Sequence, residues 1–137
     1  MAAMPKRVRG RRRSPVAGLD AFERLVDRAL ASIPSPFRES LLEVAIVVED
    51  EPSDEQLLEN DLELDDTLYG LYEGVPRTEW GADLATVPNR ITLFRIPLVE
   101  DYPDPRDLAE EVRITVIHEL AHHLGIDDDR LHELGVG

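Results

Sequence analysis

The chain has 137 residues, enough for one ordinary domain and too few for two. Its 42% hydrophobic content can fill a single core, so the 32% of charged residues does not make it a disordered protein. There is no cysteine, which excludes a disulfide scaffold, thiolate zinc sites and a cysteine nucleophile; any metal must be held by imidazole and carboxylate.

The net charge of −14 conceals an asymmetry. Lys6, Arg7, Arg9, Arg11, Arg12 and Arg13 give the first 13 residues +6, so the remaining chain carries −20. Residues 1–17 read as a basic, disordered leader and residues 18–137 as a single domain. A body that acidic repels nucleic acid. No apolar run approaches the ~18 residues of a membrane span. The basic start is followed by no apolar stretch of signal-peptide length. The expectation is a cytoplasmic protein with no membrane partner.

In chain order, GLDAFERLVDRALASIP predicts a helix. Phe22, Leu25, Val26, Ala29, Leu30 and Ile33 recur at the spacing of one apolar face. Asp20 and Glu23 predict an acidic capping box at its start, and Pro34 and Pro36 its stop. A short helical turn is expected around Phe37 to Leu42. LEVAIVVED (42–50), DTLYGLYEG (66–74) and RITLFRIPL (90–98) predict three strands. Residues 49–66 hold ten acids and no base, and read as a solvated acidic loop without EF-hand spacing. The loop 75–89 contains the only tryptophan, Trp80.

DYPDPRDLAEEVRITVIHELAHHLGI then predicts a long helix. Asp104 caps it, Pro105 stands at its first position and Asp107 at its third. Leu108, Val112, Val116, Leu120 and Leu124 make an apolar ladder, widened by Ala109, Ile117 and Ala121. Gly125 supplies the left-handed stop. A last short helix, DDRLHELG, has Asp127 as its cap and packs Leu131 and Leu134. These elements predict an α+β fold, with helices against one small mixed β-sheet.

All four histidines (118, 122, 123 and 132) fall in the last 20 residues. On a helix, His118 and His122 lie about 40° apart and can share a metal, while Glu119 is offset by about 100°. Glu119 can therefore reach a metal-bound water without being a ligand. After Gly125 the chain reverses, and Asp128 is the favoured third ligand, with Glu133 behind it. Two imidazoles and one carboxylate leave a fourth position open, the layout of a catalytic zinc site. Zinc lowers the pKa of its water to about 7, and Glu119 takes the proton as general base in peptide-bond hydrolysis. A chance His-Glu-x-x-His has a probability of roughly 0.01 in this composition, and adding Gly and Asp at their positions lowers it to roughly 10⁻⁴. His123 falls off the ligand face and reads as an exposed or hydrogen-bonded neighbour; His132 reads as a surface residue.

The spacing His118-Glu119-x-x-His122-x-x-Gly125-x-x-Asp128 resembles that of zincin metallopeptidases with aspartate as third ligand. Met1 and Met4 are the only methionines, so the Met-turn that metzincins place after the motif is absent. The chain is more similar to the small bacterial minimal zincins, through LYGLYEGVP (68–76), RITLFRIPL (90–98) and HELAHHLGIDDDRLHELG (118–135). That resemblance implies a compact sheet, the active-site helix near the C-terminus, Zn²⁺ as cofactor and a peptide or protein as substrate. Zincins in general bind substrate as a strand added to an edge strand beside the helix, and residues 91–97 are the expected edge. Tyr69, Tyr72 and Arg95 are candidates to stabilise an oxyanion, with packing or surface roles as the competing reading.

Two other readings use the same residues. A non-catalytic module that binds a metal or a partner needs the ligands but not Glu119. A metal-dependent endoribonuclease matches His-x₃-His-x₅ with Asp128 in place of a third histidine. Glu119 and the acidic body speak against the nuclease.

Overall fold

The computed structural model describes residues 18–74 and 89–133. In order these form α1 (Leu19–Ala31), α2 (Phe37–Leu41), β1 (Ala45–Glu49), α3 (Asp54–Glu59), β2 (Gly70–Glu73), β3 (Arg90–Phe94), α4 (Arg95–Asp101), α5 (Pro105–Leu124) and α6 (Asp128–Glu133). The basic leader, the Trp80 loop and Leu134 lie outside the described residues. The fold is α+β, with helices packed on a three-stranded mixed sheet in the order β1-β3-β2. β1 runs parallel to β3, and β2 antiparallel to it. Among the described residues no helix is long and apolar enough to cross a membrane.

The central strand β3 buries residues on both faces: Ile91 and Leu93 on one, Thr92 and Phe94 on the other. Against the Ile91–Leu93 side packs α5, whose Leu108, Val112, Val116, Ile117, Leu120 and Ala121 all belong to the main hydrophobic cluster. From the far side α1 contributes Phe22, Leu25, Val26 and Ala29 to the same cluster. The predicted helical faces of α1 and α5 are therefore the core. The ladder on α5 stops one step early. Leu124 is 45% exposed, because the last turn of the helix, with His122 and His123, projects past the core.

The ends of α5 follow the expected chemistry. The Asp104 carboxylate accepts a bond from the Arg106 N–H at 2.8 Å, with Pro105 at the first position. At the other end Gly125 has φ of 78°, and the Ile126 N–H donates back to the Ala121 carbonyl at 2.8 Å, closing a Schellman turn. The Asp127 side chain accepts from the Arg130 N–H at 2.9 Å and so caps α6.

Four local expectations need correction. The start of α1 is Gly18 with no side-chain cap, so Asp20 lies in the first turn, where it complements the helix dipole, and forms no capping box. The stretch 49–66 is not wholly loop. It contains α3, started by a Ser53–Gln56 capping box, and Leu57 is buried. The strand expected over 90–98 ends at Phe94, and Arg95 opens α4. Pro97 lacks a ladder donor but costs nothing in a helix's first turn. Finally, the sheet order makes β3 the central strand, so 91–97 is no edge. Among the described residues β2 is paired on one side only.

A close approach fixes β2 on α5. A β-carbon at Gly70 would stand 2.6 Å from Thr115 Cγ2, a distance real contacts do not reach. Gly70 is needed here for space. Gly70→Ala is expected to destabilise the fold by about 1–3 kcal/mol, as overpacking does, in urea denaturation. Adding Thr115→Ala should recover most of that loss. Equal losses with and without the second change would contradict the contact.

Candidate active site

The last two turns of α5 carry His118, Glu119, His122 and His123. His118 and Glu119 are half-buried; His122 and His123 are exposed. The two candidate ligands lie on one face, with ring centroids 6.4 Å apart and planes tilted by 42°. Their row lies off the buried apolar face of the helix. They sit at the negative end of a 20-residue helix, where the peptide dipoles favour a cation. Among the described residues no three His, Asp or Glu side chains are gathered as a metal-binding group. The third ligand proposed from sequence, Asp128, is the first residue of α6, directly beyond the Gly125 reversal, and its side chain lies outside the described residues. Glu133 is exposed and paired with Arg130 at 3.0 Å, so it is committed elsewhere.

The donor set fits zinc in kind. Two neutral-capable imidazoles four residues apart on a helix, without thiolates, suit a borderline cation with an open position.

Glu119 is held from a direction the motif does not reveal. Its Oε1 accepts a hydrogen bond from the backbone N–H of Tyr72 at 2.8 Å. The register explains why that N–H is available. The Phe94 N–H donates to the Tyr69 carbonyl at 2.9 Å, so alternate residues of β2 face β3, and Gly70 and Tyr72 direct their backbone groups outward. The Tyr72 ring in turn stacks on the His123 imidazole, with centroids 4.3 Å apart and planes 19° from parallel. Burial, with a contribution from the Glu43 carboxylate, pushes the Tyr72 phenol above its ordinary pKa, and its buried hydroxyl has no hydrogen-bond partner among the described residues.

The other oxyanion candidates are engaged elsewhere. The Tyr69 hydroxyl donates to Asp101, a bond that raises the phenol pKa, and its ring meets Tyr102 edge-on at 5.7 Å. Arg95 bonds the Asp50 carboxylate at 2.8 Å and 3.1 Å. His132 is exposed on α6, as expected. A surface cavity of about 380 Å³ lies between α3 and α4, lined by Leu57, Ile96, Pro97 and several carboxylates. It contains none of the motif residues, so the candidate site is the open face of α5 and not this cavity.

The sequence reading missed the Tyr72 contacts, since they depend on which strand lies beside α5. The one available signal was Gly70, two residues before Tyr72 in a strand-like run, where a missing side chain marks close backbone approach.

Residues 41–137 match the family described as zincin-like metallopeptidase, a span that takes in the whole sheet and α5. No curated protein matches the chain. The chain belongs to the zincin-like metallopeptidase family.

Proposed function

We propose that this member of a metallopeptidase family is a zinc-dependent peptidase in which His118, His122 and Asp128 hold the metal and Glu119 is the general base. The observation that carries the reading is the arrangement on α5. The two imidazoles share one face, and the carboxylate is one residue on and anchored to the neighbouring strand. A structural zinc site needs the imidazoles but has no use for a fixed, unliganded carboxylate beside them.

When bound, zinc supplies a Lewis acid that polarises a peptide carbonyl and acidifies water. The chain's own residues do the rest. Glu119 has one oxygen committed to the Tyr72 N–H, and its other oxygen, without a hydrogen bond in the described structure, receives the proton. Holding the carboxylate by a single backbone donor fixes its position while leaving its second oxygen able to accept a proton. Donation of that proton to the leaving amine completes the reaction, with water added across the C–N bond and no covalent intermediate.

The substrate is an extended peptide that lies along the outer edge of β2, replacing the 91–97 segment expected from sequence. Gly70 and Tyr72 turn their carbonyls outward there, which gives an added strand acceptors next to Glu119. The acidic body disfavours a nucleic-acid substrate.

Elemental analysis of the purified chain is expected to give about one zinc per molecule, much reduced in Asp128→Ala. Failure to take up zinc when it is offered would refute the metal assignment. Glu119→Gln is expected to keep the metal and lose peptide hydrolysis by about 10²-fold or more, the usual range for a general base. Hydrolysis that survives this change would remove Glu119 from its role. Metal binding with no peptide cleavage in the parent chain would favour the non-catalytic reading.

A further inference from the structure

We infer that Tyr72 and His123 are positioning residues for Glu119: the stacked rings clamp β2 to the last turn of α5, and the clamp keeps the Tyr72 N–H on the carboxylate. The inference deepens the proposed function, since it rests on Glu119 being the base.

The geometry begins with a match of periods. Thr115, Glu119 and His123 are successive members of one i, i+4 row on α5. Gly70 and Tyr72 are alternate residues of β2 and share one face. Four helical residues rise ~6.0 Å and two strand residues ~6.8 Å. The strand and the row can thus stay in step: Gly70 lies against Thr115, and Tyr72 lies against Glu119. The metal-ligand row, His118 and His122, is the neighbouring row on the same helix. One helix serves two contacts without competition between them.

This register needs a second fixed point. β2 is a four-residue strand with β3 as its only described partner, and the ends of such strands open readily. Gly70 at the first position permits close approach but grips nothing. At Tyr72 the grip exists, because one residue supplies two contacts to α5. Its N–H goes to Glu119, and its ring goes to His123 one turn further along. A planar stack with centroids at 4.3 Å and planes within 19° resists both sliding and rotation. It therefore sets the distance between the Tyr72 backbone and the Glu119 side chain. Among the described residues the buried Tyr72 hydroxyl has no hydrogen-bond partner, so none of them holds the ring by a polar bond instead.

His123 is exposed, so its replacement leaves the core untouched. Amide hydrogen exchange of the full-length chain, followed by NMR with a chelator present, reads the clamp without any need for metal or turnover. In the parent the Tyr72 amide is expected to be protected. In His123→Ala it should exchange about tenfold faster or more, as when a local contact opens ahead of the global fold. The same acceleration is expected in Glu119→Ala, which removes the acceptor. His123→Phe, which keeps a flat ring, should restore the parent rate. The amides of Leu71 and Thr92, which pair across β2 and β3, should hold their protection throughout.

Parent-like exchange at Tyr72 in His123→Ala would overturn the inference. So would failure of His123→Phe to rescue, or acceleration shared equally by Leu71 and Thr92, which would make His123 a support for the strand in general. A parent chain that binds zinc but cleaves nothing would sink the proposed function while leaving this exchange result intact.

Discussion

The hydrogen bond from the Tyr72 backbone to the Glu119 carboxylate is the contact on which the candidate site depends. It joins a strand edge to a helix row, and it requires three earlier conditions. β2 must pair with β3 in its observed antiparallel register so that Tyr72 turns its N–H outward. Gly70 must lack a side chain so that the strand can come close to Thr115. α5 must turn the row that carries Glu119 toward β2 while Leu120 and Ala121 beside it face the core. Each condition is a matter of backbone geometry, and each is met by a different part of the chain.

α5 divides its surface by row. Leu108, Val112, Val116 and Leu120 are fully buried and fasten the helix to α1 and the sheet. Thr115, Glu119 and His123 meet β2. His118 and His122, the candidate metal ligands, form the neighbouring row. This is possible only because the burial ends before the helix does. Had the apolar ladder continued through Leu124 into the core, the histidines would be enclosed by apolar atoms, and a divalent ion would lose its hydration without access to water. The negative end of the helix dipole adds a favourable field at the same place. So the position of the motif at the exposed C-terminal end of a buried helix is a consequence of needing both rigidity and solvent.

Much of this was legible in the residues. The limits of α5 follow from side-chain chemistry at Asp104, Pro105 and Gly125, because caps and stops are local. The pairing of His118 with His122, and the offset of Glu119, follow from the helical period alone. Other features were hidden for reasons that can be named. α3 carries a Ser53–Gln56 capping box in plain view, but the density of acids around it resembles a solvated loop. Residues 95–98 look strand-like by composition, and only the position of Pro97 in a first turn shows why a helix is acceptable there. Strand order is not a local property at all. β3 follows β2 in sequence yet lies between β1 and β2, so no reading of 91–97 by itself could tell that both its edges are taken. The contacts of Tyr72 and the stacking role of His123 were out of reach for the same reason.

The span matched by the family begins at residue 41, so α1 lies before it. Yet α1 is no appendage. Phe22 is fully buried, Leu25 and Val26 nearly so, and they join the cluster that holds Leu108, Val112 and Leu120. Without those side chains much of the α5 surface that packs on α1 would stand in water, and the 20-residue helix would be held by the sheet with only α2 and α4 to help. Burial of that apolar face, at roughly 25 cal/mol per Å², is what lets a single helix keep its axis fixed relative to β2. The Tyr72–Glu119 bond tolerates little movement of that axis. A segment before the matched span therefore bears on the site through packing alone, with no residue near the chemistry.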